Sequence, residues 1–129
     1  MDEKKKGFRE LQVWQKAKAL AVTIYQSTQE GELAKDFGLR DQIRRAAVSV
    51  CSNIAEGDER QTNTEAVHFL YIAKGSLAEL SCQLEIAHDI GYLNSEQHSF
   101  LQQECQDIGN MLGALIKVRR GKNRKEVRG

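Results

Sequence analysis

No proline interrupts this chain of 129 residues, and few folds tolerate that absence. Sandwiches and barrels need many tight turns, and turns recruit proline because its ring presets φ. The abundant residues are instead Ala, Leu, Glu, Gln, Lys and Arg, which lose least on entering a helix. Aromatic residues make up only 6% of the chain, a poor supply for strands. An all-α fold is predicted. A chain of this length suits one domain and buries close to ~70% of its extended surface, so it needs no metal or disulfide to fold.

Apolar periodicity divides the chain into four helical segments. The first carries Phe8, Leu11, Trp14, Ala17, Ala21 and Ile24, flanked by a second row through Val13 and Leu20. Those spacings of three and four give a broad buried face. It is predicted to stop near Gly31. The second segment follows Gly38 through Leu39, Ile43, Ala46, Ala47, Val50 and Ile54 and closes at Gly57. Thr62, with Glu65 three residues on, makes a capping box for the third. Its predicted core is Phe69, Ile72, Ala73, Ser76, Leu77, Leu80, Leu84 and Ala87, ending at Gly91. Gly75 lies mid-helix at a cost of about 1 kcal/mol relative to alanine, which suggests close approach of a neighbouring helix. The fourth segment begins at Asn94, answered by Gln97, and runs through Phe100, Leu101, Cys105, Ile108, Met111, Leu112, Leu115 and Ile116. Long helices joined by short connections pack as antiparallel neighbours, so an up-down-up-down four-helix bundle is predicted. Residues 8–120 form it, with a disordered N-terminus over 1–7 and a basic disordered tail over 121–129.

The net charge of +1 implies no strongly polyanionic partner, but the charge is unevenly placed. Residues 117–129 hold seven bases and one acid, a net +6 of the total +1, which leaves −5 for the other 116 residues. Lys117, Arg119, Arg120, Lys122, Arg124 and Lys125 are therefore candidate nucleic-acid contacts. Basic side chains without interleaved aromatics suit phosphates, which supply affinity and salt dependence without sequence readout. The alternative is a helix end whose cations answer the C-terminal dipole. No signal peptide or membrane span is evident, and three cysteines without framework spacing are expected to be small buried thiols in the cytoplasm.

Glu65-x-x-His68 and Glu85-x-x-His88 have the spacing of carboxylate-bridged metal bundles, but both lie on one helix, roughly 30 Å apart. No di-metal centre, bound metal or cofactor is expected. Cys51 lies roughly 20 Å from the level of Cys82 and Cys105, so the thiols form no common site. Catalytic Ser-His-Asp or Cys-His groupings and glycine-rich phosphate loops do not stand out, and His68, His88 and His98 are spread over two helices. The chain is read as non-enzymatic. Arg44 and Glu79 fall at similar levels on adjacent helices, either as an ion pair that fixes register or as two solvated charges.

Four ordered stretches carry a resemblance: 8–17 (FRELQVWQKA), 38–50 (GLRDQIRRAAVSV), 53–57 (NIAEG) and 75–79 (GSLAE). They resemble the 23S rRNA-intervening-sequence proteins, also called four-helix bundle proteins. The resemblance implies a ring-like homopentamer without established enzymatic activity. It also implies kinship with the accessory proteins of diversity-generating retroelements, which bind RNA and a reverse transcriptase. The chain departs from the family at Cys51-Ser52, where proline and alanine are common, and its body is acidic where the retroelement proteins are basic. The resulting expectation is a homo-oligomeric bundle that binds RNA, or an RNA-handling protein such as a reverse transcriptase, through its basic C-terminal ends. The alternative is a structural scaffold oligomer with no nucleic-acid partner. A pentamer would gather five such ends, and Trp14 would pack either inward or against the next subunit.

Overall fold

The computed structural model of the chain describes residues 7–128, with side chains from 7 to 121. The expected N-terminal segment over 1–6 lies outside the described residues. Among these residues the fold is all-α. A 3-10 turn at Phe8–Glu10 leads into α1 (Gln12–Ser27), followed by a short α2 (Gly31–Lys35), α3 (Phe37–Asp58), α4 (Asn63–Asp89) and α5 (Ser95–Arg128). The periodicity gave no sign of α2, whose one buried residue is Leu33. The backbone of 121–128 continues as helix, where a tail leaving the helix after Arg120 was predicted.

Each long helix contributes one stripe to a common core. Val13, Ala17, Leu20 and Ile24 of α1 meet Ile43, Ala46, Val50 and Ile54 of α3. Leu70, Ala73, Leu77, Leu80 and Leu84 of α4 and Leu101, Cys105, Ile108, Leu112 and Ile116 of α5 complete it. Packing is cyclic, with α1 and α4 each seated against both α3 and α5. Bonded pairs fix the directions. Ser49 meets Ser76 at 2.8 Å, Ser81 meets Gln102 at 2.7 Å, and Lys16 meets Glu104 at 3.1 Å. Further along, Gly57 faces Ala66, Gly109 faces Leu77, and Leu11 and Val13 share a groove with Leu115 and Val118. In each pair one helix ascends while its neighbour descends.

The helix ends follow the capping residues closely. Thr62 accepts from the Glu65 N–H at 3.1 Å, and Asn94 and Gln97 answer one another at 3.0 and 2.8 Å. Gly91 adopts φ +89°, which a side chain would strain. There the Tyr92 N–H donates to the Ala87 carbonyl at 2.8 Å and the Gly91 N–H to His88 at 3.0 Å, closing α4 tightly.

Several expectations are corrected. α3 ends at Asp58, one residue past the expected close at Gly57. The missing side chain of Gly57 serves close packing, since a Cβ there would meet the Ala66 carbonyl oxygen at 3.1 Å and the Phe69 Cβ at 3.2 Å. Gly75 is the reverse case, with nothing within 4 Å of the position a Cβ would take. Ile72 and Phe100, placed in the core by periodicity, are exposed. α4 is apolar on more than one face, so spacing alone could not select the inner stripe. Trp14 is half-buried, stacked edge-on to Phe8 with ring centroids 5.0 Å apart. Of the three thiols only Cys105 is buried; Cys51 is half-buried and Cys82 exposed.

Candidate nucleic-acid interface

The outer seam between α4 and α5 carries the most coherent set of cations. Tyr71 and Lys74 are one turn apart on α4, as are Lys117 and Arg120 on α5. All four side chains border the same antiparallel seam, and the two α5 cations stand toward its C-terminal end. The Arg120 guanidinium lies over the Tyr71 ring, 5.0 Å from its centroid. Together with Gly113, Ile116 and Gly121 these residues line an open groove of about 620 Å³. Neither Gly113 nor Gly121 has an atom within 4 Å of where a Cβ would sit, so the groove floor is low. Among the described residues no acidic side chain lines it. Like charges facing across an apolar floor raise the local positive potential, which attracts an anion.

Arg119 does not belong to this groove. It points to the opposite side of α5, where it donates to Asp58 at 3.1 Å and to Asn63 at 3.3 Å. Asp58 is 8% exposed and sits in the last turn of α3, where the helix dipole disfavours a carboxylate. The guanidinium offsets that cost and ties the end of α5 to the α3–α4 corner. Arg119, a candidate nucleic-acid contact by charge alone, has its guanidinium engaged by Asp58 and Asn63. Lys117 and Arg120 remain exposed. The side chains of Lys122, Arg124 and Lys125 lie outside the described residues.

Arg44 and Glu79 are not brought together. Arg44 donates through Nε to Thr28 Oγ1 at 2.8 Å and through Nη2 to the Thr28 carbonyl at 3.3 Å, with its guanidinium 4.5 Å from the Tyr25 ring centroid. It thus satisfies acceptors that α1 leaves open at its C-terminus. Glu79 stands on the exposed face of α4. The expected register pair is replaced by a cap.

Lys74 and Tyr71 were missed by sequence reasoning, which confined the basic site to the C-terminal run. Folding α4 against α5 about the Gly91 turn would have placed them on the seam that Lys117 and Arg120 also border. The same turn gathers a second group that the sequence had dispersed. Glu85 and His88 on α4 meet His98 on α5, with one ligand-type atom from each lying within 4.8 Å of the others. The expectation of no metal ligands thus meets a clustered carboxylate and two imidazoles. The thiols are less inviting. Burial, aided by Glu104, pushes Cys105 up to about 12, and burial also raises Cys51 against the opposing pull of Lys18. Neither is primed as a nucleophile. Among the described residues no helix is long and apolar enough to cross a membrane.

Comparison with known proteins supplies the remaining context. The family model for the 23S rRNA-intervening sequence protein matches residues 9–114. A crystal structure of a protein of unknown function, from the S23 ribosomal protein family of Bacteroides thetaiotaomicron VPI-5482, is similar at a TM-score of 0.75 and 27% identity. The match covers 81% of this chain and 98% of that one. No curated protein matches the chain.

Proposed function

This chain belongs to the 23S rRNA-intervening sequence protein family, and from that premise we propose that it is a non-enzymatic four-helix bundle, one subunit of a ring-like homopentamer, that binds RNA through its basic α4–α5 groove and C-terminal end. The groove carries the reading. Lys74, Lys117 and Arg120 present three cations, with no lining acid among the described residues, beside the Tyr71 ring on which the Arg120 guanidinium rests.

Two separate apolar faces support assembly. One follows α4 as Ile72, Gly75, Cys82 and Ile86, interrupted by the charged Glu79, at the three-four spacing of a helix–helix seam, with Ile90 exposed one turn further on. The other joins Val22 and Tyr25 of α1 to Val48 of α3, all more than 40% exposed. Since α1 and α4 do not adjoin one another in the cycle of packed helices, the faces differ in position and composition. Unlike faces that mate head to tail generate a ring when the rotation closes. Gly75, which has no close neighbour within its own chain, would then admit the adjacent subunit. A ring repeats the groove, and repetition raises avidity without new chemistry.

The test pairs native mass spectrometry with fluorescence anisotropy on a single-stranded RNA at low salt. A truncation that removes residues 122–129 preserves the Arg119–Asp58 bond, unlike a cut at 117. The reading expects a pentamer mass, RNA binding by the intact chain and weaker binding after truncation. Assembly without RNA binding at low salt would favour the scaffold alternative; a monomer would overturn the ring.

A further inference from the structure

We propose that Glu85, His88 and His98 form a binding site for a divalent transition-metal ion of the zinc type, joining α4 to α5 beside the Gly91 turn. Three observations converge there. First, the donors suit the ion: two imidazoles and one carboxylate are the ligand set that zinc takes in sites that keep a coordination position open. Second, their spacing is close to what coordination requires. His98 Nε2 lies 3.4 Å from Glu85 Oε1. Two ligands on one tetrahedral ion, with bonds of about 2.0–2.1 Å, stand roughly 3.4 Å apart. All three groups offer ligand atoms within 4.8 Å of one another, and turning one imidazole out of the stack would aim both rings and the carboxylate at one ion.

Third, the protein leaves a donor without use. His98 Nε2 is buried and makes no hydrogen bond among the described residues; its contact with Glu85 falls outside hydrogen-bond geometry. The two imidazoles are stacked, with centroids 4.2 Å apart and planes 18° from parallel. A buried nitrogen with no partner forfeits its solvation, and a bound cation would offset that loss. His88 Nδ1 also lies 3.3 Å from Asp89 Oδ1. A carboxylate on one ring nitrogen orients the imidazole and leaves the other nitrogen to the metal.

The scaffold holds these groups firmly. Glu85 and His88 are i and i+3 on the last turns of α4 and project together. His98 is held by the Asn94–Gln97 capping box and donates its own N–H to the Asn94 carbonyl at 3.0 Å. The site is about 25 Å along α4 from the basic groove, counting from residue 88 to residue 71 at 1.5 Å per residue. It is therefore independent of RNA binding. Glu65-x-x-His68 repeats the motif on the same helix without a third ligand among the described residues, which makes it an internal control.

The experiment titrates the purified full chain with Zn²⁺ against a chromophoric chelator, then records the Co²⁺ spectrum. One ion per chain is expected, with Co²⁺ bands free of thiolate charge transfer and a rise in Tm on adding Zn²⁺. His98→Ala should weaken binding at least 100-fold and abolish the Tm shift. Glu85→Gln, an exposed change that leaves packing intact, should weaken it at least 10-fold, and His68→Ala should leave it unchanged. Absence of binding at micromolar Zn²⁺, a thiolate band, or wild-type affinity in Glu85→Gln and His98→Ala would each overturn the assignment.

Discussion

Arg119 and Arg120 are adjacent in the chain yet face different surroundings. Arg119 neutralises the buried Asp58, whereas Arg120 lies on Tyr71 at the surface. Removing one partner of a buried pair strands the other charge, a cost far above that of losing an exposed cation. Arg119→Ala is thus expected to lower unfolding free energy by about 2 kcal/mol or more, and Arg120→Ala by less than about 0.5 kcal/mol, in urea denaturation. Cys105 adds a pH signature. Burial raises its thiol from 9.0 to about 12, so above pH 9 the unfolded chain releases a proton that the folded chain retains. Stability from this group is full below about pH 9 and declines as pH rises towards 12. Denaturant midpoints between pH 8 and 11 should fall less steeply in Cys105→Ala, each protein referred to its own neutral value. Tyr92, raised chiefly by its hydrogen bond to Asp36, acts in the same direction and remains in both proteins.

Within the helices, Gly57 in the last turn of α3 and Gly75 in the middle of α4 should respond oppositely to alanine. At Gly57 a methyl would press on the Ala66 backbone oxygen at 3.1 Å, and backbone cannot rotate aside. Gly57→Ala is expected to destabilise by about 1–3 kcal/mol. At Gly75 nothing stands within 4 Å, so Gly75→Ala should stabilise a single chain by up to about 1 kcal/mol through helix propensity. Chemical denaturation at high dilution, where subunits separate, reads both signs. The contrast explains what was legible in the sequence. The long helices followed from period and capping, because Thr62, Asn94, Gln97 and Gly91 act on backbone within a few residues of themselves. The use of Gly57, the exposure of Ile72 and Phe100 and the short α2 depend on what another helix brings near, which spacing along one segment does not encode. The 53–57 stretch shows the same division. Ile54 packs in the core as its spacing implies, while the Asn53 amide donates to the Ser49 carbonyl at 2.8 Å and steadies α3 from its side.

Across the whole molecule, the basic C-terminus splits into distinct parts once α5 docks. One cation braces the fold, and two join Lys74 to line a groove that no single stretch of sequence contains. The His88–His98 stack arises in the same way from the same hairpin, at its other end. Both sites were hidden because their residues are more than 40 positions apart in one case and divided by a turn in the other, and both become visible from the antiparallel pairing of α4 with α5. In the proposed ring, repeated grooves would present a composite basic surface despite the acidic body of each chain. Cations that contact phosphates displace counterions, so binding must weaken linearly in the logarithm of salt.

The salt dependence of RNA affinity is therefore decisive, measured for the intact chain and for a Lys74→Gln, Lys117→Gln, Arg120→Gln triple variant that keeps its helicity and subunit mass. With a slope of about −0.7 for each phosphate neutralised on a single strand, losing three cations should make the plot shallower by about 2 for each groove engaged. Identical slopes and affinities in the two proteins, or no binding by either at low salt, would contradict the assignment of RNA binding to this groove.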